Sequence, residues 1–384
     1  MKRPTLDLEA LFTTTCGELP AAELFPQLPV ALWTEEFWRA NELANLYTDL
    51  RVARLVADRG VLEAADDEHR RHVAGWLDRK HAGSVFARRD DLVTDERLAE
   101  ELRDAILDAN PRLSPALELV DVAAAGYPAF LRGETDGERI LFAASTLPLW
   151  SRYFNRANPL YWPTNVLAAC VARDACQSID DGTRPLRVLE IGAGCGSGSL
   201  ALVEQLGARI GSFTLTDISP NFLRKARERL EPEISRGAIE VSFRLLDLDR
   251  DLATWRIEPG SVDLVFGVNV LHTVFDLEAS VLRLRDVLAP SGRIVLGECI
   301  RPQSARPVHP EFIFQLLTSF WRVRIDERFR RQGGFLDAPS WRRLFEASGF
   351  TAVRIVPDFE RIAAEYSEYS LGAIVAEKPS ESPT

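Results

Sequence analysis

Three glycines at alternate positions follow a short apolar run and precede a helical pattern. The run is Val188-Leu189-Glu190-Ile191, and the glycines stand at positions 192, 194 and 196. Glycine permits a positive φ and lets a ligand lie directly against the backbone. The G-x-G-x-x-G spacing of a dinucleotide site is absent, because Ser197 occupies its third glycine position. Glu190, inside the strand that enters the loop, favours a cationic ligand over a pyrophosphate.

Two aspartates stand where the next two predicted strands end. Asp217 lies 25 residues after Gly192, and a carboxylate there can accept both hydroxyls of a ribose. Asp247 ends the third predicted strand and can accept from an adenine amino group. Each has a simpler explanation, a helix N-cap for Asp217 and a turn acid for Asp247. Because the carboxyl ends of parallel strands meet at one edge of a sheet, their combination with the glycine loop favours nucleoside binding.

The elements that position these residues alternate between strand and helix. Helices are predicted at Leu200–Leu206, Asn221–Leu230 and Leu277–Leu288. Strands are predicted at Leu186–Ile191, Phe213–Ile218, Ile239–Leu246, Val262–Val268, Arg293–Leu296, Ala352–Val356 and Leu371–Ala376. This alternation predicts an α/β fold, a mostly parallel sheet with helices on both faces. The last two strands are too close in sequence for a crossover helix, so we expect an antiparallel pair at one edge.

The N-terminal part of the chain is mainly helical in pattern. Apolar residues recur at helical spacing from Leu43 to Ala57. Short runs at Ser84–Ala87 and Asp90–Val93 predict a small hairpin, and helices with a hairpin suggest a winged-helix-like module. Acidic residues such as those at positions 63, 66, 67 and 68 interrupt any basic face, so a structural or substrate-covering role is favoured over DNA binding.

The motifs resemble those of class I S-adenosylmethionine-dependent methyltransferases. Glu190 to Gly196 is similar to their E-x-G-x-G-x-G motif, Thr216-Asp217-Ile218-Ser219 to the second motif and Leu246-Asp247 to the third. Leu288 to Arg293 resembles the L-x-P-G-G turn, with Ser291 in place of the first glycine. The resemblance covers about residues 185–378 and implies a seven-stranded Rossmann-like sheet whose last strand is antiparallel, with S-adenosylmethionine as cofactor. It implies cofactor contacts from Glu190, Gly192, Gly194, Gly196, Asp217, Ile218, Asp247, Leu248 and Asn269.

A histidine and a glutamate end the two strands on the acceptor side. His272 follows the fourth strand and Glu298 ends the fifth, and the implied sheet order makes these strands neighbours. A carboxylate that accepts from one imidazole nitrogen holds the ring in one tautomer and stabilises the imidazolium, which suits a general base. The alternative is a capping or core histidine beside an unrelated acid. The other histidines, at positions 69, 72, 81 and 309, have no such placement.

Two methyltransferase families use a histidine in this position. In the C-methyltransferase domains of polyketide synthases, a His–Glu pair deprotonates the α-carbon of a β-ketoacyl thioester. In small-molecule O-methyltransferases with a helical dimerisation domain, a comparable histidine deprotonates a hydroxyl. The run from Asn269 to Thr273 resembles the first family, and Asp276 resembles an acid of the second.

Further segments extend the resemblance to the polyketide family from about residue 130 to the end of the chain. Gln315 replaces a glycine of that family's insert and Phe320 replaces a tryptophan. The similar segments are Phe130–Asp136 with Ile140–Phe142, Phe314–Trp321 with Asp326–Arg330, Trp341–Phe345 and Ala347–Phe350. We expect the aromatic residues of the acceptor pocket to be Tyr153, Tyr161, Trp162, Phe320 and Trp321, although aromatics also pack between domains by default.

Composition restricts the partners. The 384 residues contain 57 acidic and 46 basic side chains, a net charge of −11, which argues against nucleic acid as the main ligand. No apolar stretch of about 18 residues predicts a membrane span. The N-terminal residues lack a signal-peptide pattern, and the five cysteines form no CxxC pair, so we expect reduced thiols, no metal site and a cytoplasmic protein.

The charge is uneven. Residues 301–361 hold 11 arginines and 7 acidic residues, a net charge of +4. This segment can dock an acidic acyl carrier protein, or it can be an ordinary solvated face. The initial methionine and the polar C-terminal residues favour a free-standing chain over a piece of a larger synthase.

The sequence thus predicts an S-adenosylmethionine-dependent C-methyltransferase. Its expected parts are a helical cap at residues 1–180, a cofactor-binding core at 181–378 with a helical insert near 305–335, and a disordered tail at 379–384. His272, oriented by Glu298, is expected to deprotonate an acidic carbon of a thioester or ketone. The alternatives are an O-methyltransferase that acts on a free small molecule, a non-catalytic cofactor-binding scaffold and, last, a dehydrogenase. The oligomeric state stays open.

Overall fold

A single sheet organises the C-terminal half of the chain. The computed structural model describes residues 35–95, 97–177, 179, 184–235, 239–302, 307–359 and 369–380. Within these ranges seven strands form one sheet in the order β3-β2-β1-β4-β5-β7-β6. The strands are β1 Leu186–Ile191, β2 Ile210–Asp217, β3 Glu240–Leu245, β4 Val262–Val268, β5 Leu288–Cys299, β6 Thr351–Val356 and β7 Leu371–Glu377. The first five pair in parallel, and β7 runs antiparallel between β5 and β6. The predicted fold class is confirmed.

The strand predictions differ from the structure mainly at β5. The predicted strand, Arg293–Leu296, covers only the middle of the observed one. The strand continues through the turn-like sequence because Ser291 donates its N–H to the carbonyl oxygen of Lys378 (3.0 Å) and Gly292 accepts from the Lys378 N–H (2.9 Å). Ser291 has a φ of 60°, so it adopts the left-handed conformation that glycine usually fills.

Helices cover both faces of the sheet and form the N-terminal region. Before the sheet lie α1 Glu35–Ala57, α2 Arg59–Glu63, α3 Glu68–Ala82, α4 Asp90–Val93, α5 Leu98–Ala109, α6 Ser114–Leu131, α7 Gly137–Leu141, α8 Leu147–Tyr153 and α9 Trp162–Cys176. Within and after it lie α10 Ser197–Leu206, α11 Pro220–Ser235, α12 Leu252–Trp255, α13 Leu277–Val287, α14 His309–Phe314, α15 Thr318–Trp321 and α16 Ala338–Ala347. Short 3₁₀ turns occur at Val85–Arg88, Pro111–Leu113, Gly207–Arg209 and Leu271–Thr273.

The predicted hairpin between residues 84 and 93 is wrong. Val85–Arg88 is a 3₁₀ turn, and Asp90–Val93 is the short helix α4. The Ser84 hydroxyl accepts a hydrogen bond from the Phe86 N–H (3.2 Å), which caps the turn, and Phe86 is fully buried. Capping and one buried aromatic therefore decide the local structure. Residues 84–93 form no hairpin, so they do not support the predicted winged-helix-like module.

Two large hydrophobic clusters account for most of the packing, and a small third one joins Cys299, Val308, Phe320 and Phe335. One joins the sheet, its flanking helices and α9, and the other joins α1 to α8 with Phe312, Ile313 and Leu316 of the insert. The division at residue 180 stays a prediction, although α9, just before it, packs against β5 and β7. Among the described residues no helix is long and apolar enough to cross a membrane.

The remaining sequence expectations concern cysteines and the tail. Cys170, Cys176, Cys195 and Cys299 are free and buried thiols. Cys16 lies outside the described residues, as do positions 381–384 of the predicted disordered tail.

Candidate active site

A cavity of about 590 Å³ lies at the carboxyl ends of the central strands. The chain contributes to its wall directly after β1, at the end of β2, after β4 and at the end of β5. The N-terminal helices contribute Tyr153, Tyr161 and Asn165, and the insert contributes Phe314 and Phe320. The volume lies in the range of small-molecule sites, and the position is where open α/β sheets bind ligands.

The glycine loop approaches its neighbours too closely for side chains. Gly192 has a φ of 60°, and a Cβ there would lie 2.5 Å from Cγ2 of Val270. Gly194 has a φ of 53°, and its N–H donates to Oδ2 of Asp217 (2.9 Å). Both line the cavity, so the loop presents bare backbone to a ligand.

Gly196 is not among the residues that line the cavity. Its φ is 78°, and a Cβ there would lie 3.0 Å from the Cα of Ala226 in α11. The missing side chain thus allows close packing of the loop on α11, and the predicted cofactor contact of Gly196 stays a prediction.

The carboxyl group of Glu190 is buried at the base of the loop. Its Oε2 accepts a hydrogen bond from the Ser199 hydroxyl (2.5 Å). Burial raises the pKa of Glu190 to about 8, with the nearby Asp217 acting in the same direction. A cationic ligand in the cavity, whose wall includes Glu190, would favour the ionised form.

Asp217 stands between the loop and the rest of the cavity. Its Oδ1 accepts from the Ser219 N–H (2.8 Å), while Oδ2 accepts from Gly194. Burial raises the pKa of Asp217, and these N–H donors oppose that rise. Each carboxylate oxygen keeps further acceptor capacity, so the group can also receive ligand hydroxyls.

The other predicted cofactor contacts lie around the same cavity. Asp247 is partly exposed, and its Oδ1 accepts from the Asp249 N–H (3.0 Å). Ile218 is 73% exposed, whereas Leu248 is buried. Asn269 has a φ of 53° and accepts the Cys299 N–H through Oδ1 (2.9 Å), which ties β4 to β5. All four line the cavity.

His272 and Glu298 form a buried pair. The imidazole Nδ1 lies 2.6 Å from Oε2 of Glu298, and the side chains are 6% and 0% exposed. Oε1 of the same carboxylate accepts from the N–H groups of Val270 (3.2 Å) and Leu271 (2.9 Å). The glutamate therefore holds both the imidazole and the 3₁₀ turn that carries it. His272 lines the cavity, with the Phe335 ring edge-on at 4.9 Å.

Arg330 supports the same turn from the other side. Its side chain is almost fully buried, and it donates to the carbonyl oxygens of His272 (2.5 Å) and Val274 (2.6 Å). Burial lowers the pKa of Arg330 to about 10, so the guanidinium stays charged at neutral pH. The sequence places Arg330 in a segment that resembles the insert of the polyketide family. Its contacts could not be predicted from residue types, because its partners are backbone atoms.

Three of the five predicted acceptor-pocket aromatics line the cavity, namely Tyr153, Tyr161 and Phe320. Trp162 and Trp321 do not. Trp321 instead stacks on His69 at 5.0 Å, and Trp162 lies beneath the Arg156 guanidinium at 5.1 Å. These contacts account for both indoles by packing, and their predicted place in the acceptor pocket stays a prediction.

Among the polar side chains on the cavity wall that were not predicted, two have a polar atom that is unpaired in the described structure. His309, at the start of α14, and Asn165, in the first turn of α9, are both buried and line the cavity. Within the described residues His309 Nε2 and Asn165 Oδ1 have no hydrogen-bond partner. Single residues far apart in sequence, without a motif, give no signal from which this placement could be predicted.

Four arginines of the arginine-rich segment form ion pairs. Arg301 pairs with Glu311, Arg324 with Asp276 and Arg331 with Glu327, and Arg328 pairs with both Asp326 and Glu278. Of these acids only Asp276 and Glu278 lie outside residues 301–361, so the pairs offset only part of the segment's net charge of +4.

Comparison with known proteins identifies the domain. Residues 189–294 match the family described as "Methyltransferase domain". The chain contains a class I S-adenosylmethionine-dependent methyltransferase domain. The glycine cradle, Glu190 and Asp217 fit that cofactor, because they offer bare backbone, an acid for a cation and acceptors for ribose hydroxyls.

The chain is similar over most of its length to solved methyltransferase structures. The crystal structure of CurJ carbon methyltransferase superposes with a TM-score of 0.71 at 22% identity, covering 93% of this chain and 96% of that one. The trans-methyltransferase CalH in complex with SAH superposes with a TM-score of 0.64 at 22% identity, covering 90% and 92%.

A highly reducing polyketide synthase is similar in sequence. Highly reducing polyketide synthase 2 of Gibberella zeae is 28% identical over 294 residues, which is 74% of this chain. The chain spans only 11% of the length of that synthase.

Proposed function

We propose that this methyltransferase transfers a methyl group to an acidic carbon of an acyl thioester, the α-carbon of a β-ketoacyl group delivered by an acyl carrier protein in polyketide biosynthesis. The observation that carries the proposal is the buried His272–Glu298 pair on the wall of the cofactor cavity. The names of the similar proteins, polyketide synthases and carbon methyltransferases, support the same acceptor.

The chemistry asked of this chain is one proton transfer and positioning. Glu298 accepts a hydrogen bond from the Nδ1–H of His272, which leaves Nε2 as the nitrogen that can take a proton. His272 Nε2 removes the α-proton of the acceptor, and the C–H electron pair stays on the α-carbon as an enolate. When bound, S-adenosylmethionine supplies the electrophilic methyl group that this carbon receives. Glu298 balances the positive charge that then resides on the imidazole.

The surroundings of the pair suit this step. Phe335 and Phe320 pack edge-on against the imidazole, at 4.9 and 5.9 Å, and both line the cavity. Apolar walls exclude water, so the ion pair formed by deprotonation interacts more strongly there than it would in water.

The main alternative is methylation of a hydroxyl on a free small molecule, with the same histidine as base. A scaffold that binds cofactor without transferring its methyl group is an alternative of another class. Comparing carrier-bound β-ketoacyl thioesters with free phenols separates the three, using S-adenosylmethionine labelled in its methyl group. The proposal expects label on thioesters only, O-methylation expects it on phenols, and the scaffold expects it on neither.

The base is tested by His272→Ala. We expect loss of methyl transfer with unchanged affinity for S-adenosylhomocysteine, measured by calorimetry, because His272 acts on the acceptor. His309→Ala is the matched control, since His309 is buried, lines the same cavity and has no carboxylate partner in the described structure. Turnover by the His272 variant at more than a few per cent of the parent rate would remove the base from the proposal.

A further inference from the structure

The side-chain amide of Asn165 has an oxygen, Oδ1, that receives no hydrogen bond from the residues that the structure describes. Nδ2 donates to the carbonyl oxygen of Tyr161 (3.0 Å). Because a carbonyl oxygen can only accept, this bond fixes the orientation of the amide and identifies Oδ1 as the remaining atom. Asn165 is 0% exposed, and no described residue donates to Oδ1. A buried acceptor left unpaired is destabilising, so this oxygen indicates a ligand that donates a hydrogen bond.

Asn165 is connected to the glycine-loop end of the cavity through Tyr161 and helix α9. Asn165 and Tyr161 both line the cavity, as do Gly192 and Gly194. Helix α9, which carries it, packs against α10, the helix that follows the loop. The Tyr161 hydroxyl lies close to both Asn165 and Ser197, the first residue of α10. The free oxygen therefore belongs to the part of the cavity that the loop backbone defines.

Once the other hydrogen-bond donors of the cofactor are assigned to acceptors, one donor remains that matches Asn165 Oδ1. S-adenosylmethionine donates through its adenine amino group, its ribose hydroxyls and the α-ammonium of its methionine part. Asp247 and Asp217 suit the first two, and they follow β3 and β2 on one side of the loop. We propose that Asn165 Oδ1 accepts a hydrogen bond from the α-ammonium group, so that a helix of the N-terminal region contributes to cofactor binding. This inference rests on the cofactor and is independent of the acceptor.

The test compares two ligands by isothermal titration calorimetry with the full chain. One is S-adenosylhomocysteine, and the other is its analogue with hydrogen in place of the α-amino group. We expect the parent protein to bind the first at least about tenfold more tightly, since hydrogen bonds to charged groups are among the stronger ones. In Asn165→Ala this preference should fall to about threefold or less, because affinity for the deamino analogue changes little.

Two further variants keep the test decisive. Asn41→Ala is the matched control, since Asn41 lines the same cavity from α1 and its Nδ2 donates to the carbonyl oxygen of Phe37 (2.9 Å). It should retain the parent preference. Asn165→Ser, whose hydroxyl can still donate to the Tyr161 carbonyl, replaces the alanine variant if that one fails to fold.

Three results would overturn the assignment. The first is a parent protein that binds S-adenosylhomocysteine no more tightly than the deamino analogue. The second is an Asn165 variant that retains the parent preference, and the third is an Asn165 variant that loses affinity equally for both ligands. The last two would indicate that Oδ1 faces the acceptor, a water molecule or no donor at all.

Discussion

Glu298→Gln changes one atom of the buried pair and tests how the carboxylate acts. In the parent, Oε1 accepts two backbone N–H groups, and Oε2 faces Nδ1 of His272 at 2.6 Å. The backbone N–H groups can only donate, so the glutamine oxygen must remain on their side. Its NH₂ group then faces Nδ1, which must accept, and the ring proton moves to Nε2. The variant holds the imidazole in the tautomer that cannot take a proton from the acceptor.

The magnitude follows from this exchange of tautomers. Removing a general base costs about 10²–10⁴-fold in rate, and we expect kcat for methyl transfer to fall within that range. The contacts of residue 298 all keep a hydrogen bond, so the free energy of unfolding should change by less than about 1 kcal/mol. Affinity for S-adenosylhomocysteine should not change.

The assay is single-turnover transfer of labelled methyl, with thermal unfolding and calorimetry on the same samples. Glu278→Gln is the matched control, because Glu278 is a partly exposed partner of Arg328 in an ion pair outside the cavity. A Glu298→Gln variant that keeps kcat within threefold of the parent would refute the argument that the carboxylate selects the tautomer.

Other perturbations test the cofactor cradle and the supporting turn. Gly192→Ala should weaken binding of S-adenosylhomocysteine at least about tenfold and lower the free energy of unfolding by more than the ~1–2 kcal/mol cost of a left-handed residue, because its Cβ meets Val270. Gly260 has a φ of 70° and open space around it, so Gly260→Ala should show only the cost of a left-handed residue. Equal losses of stability and of ligand affinity in the two variants would contradict a role of Gly192 in the cofactor cradle. Glu190 retains its proton in the folded protein up to a pH of about 8, because burial raises its pKa, but loses it near 4.5 when unfolded. The parent should therefore lose stability relative to Glu190→Gln as pH rises through that window, measured by urea unfolding, and parallel pH profiles would show that this pKa is not raised. Arg330→Met should lower kcat and reduce the free energy of unfolding by about 2–4 kcal/mol, because two buried carbonyl oxygens lose their donor, and an unchanged kcat and unfolding midpoint would contradict its role in holding the turn.

The central strands were predictable because they are mostly apolar and buried. β1 and β4 contain only three charged residues, Arg187, Glu190 and Asp263, and their predicted bounds match Leu186–Ile191 and Val262–Val268. The proximity of His272 and Glu298 followed from the sheet order that the family resemblance implies, since neighbouring parallel strands bring their carboxyl ends together. The apolar runs locate the strands along the chain, but their order in the sheet came from the resemblance.

The remaining features depend on contacts that no pattern in the sequence encodes. Arg330 contacts the backbone carbonyl of a residue 58 positions away, and such a partner leaves no trace in residue types. Asn165 becomes informative only through an amide oxygen that lacks a donor within the described part of the chain. Trp321 looked like a pocket aromatic by composition, but its stacking partner, His69, comes from a distant helix.

The position of the transferred methyl group tests the central claim most directly. The chain is incubated with S-adenosylmethionine carrying a trideuterated methyl group and a β-ketoacyl thioester on an acyl carrier protein, and the released acid is fragmented by mass spectrometry. The account predicts that the trideuterated methyl lies on the α-carbon of the product. Label on an oxygen would contradict it, and so would unmodified thioester under conditions in which the chain methylates a phenol.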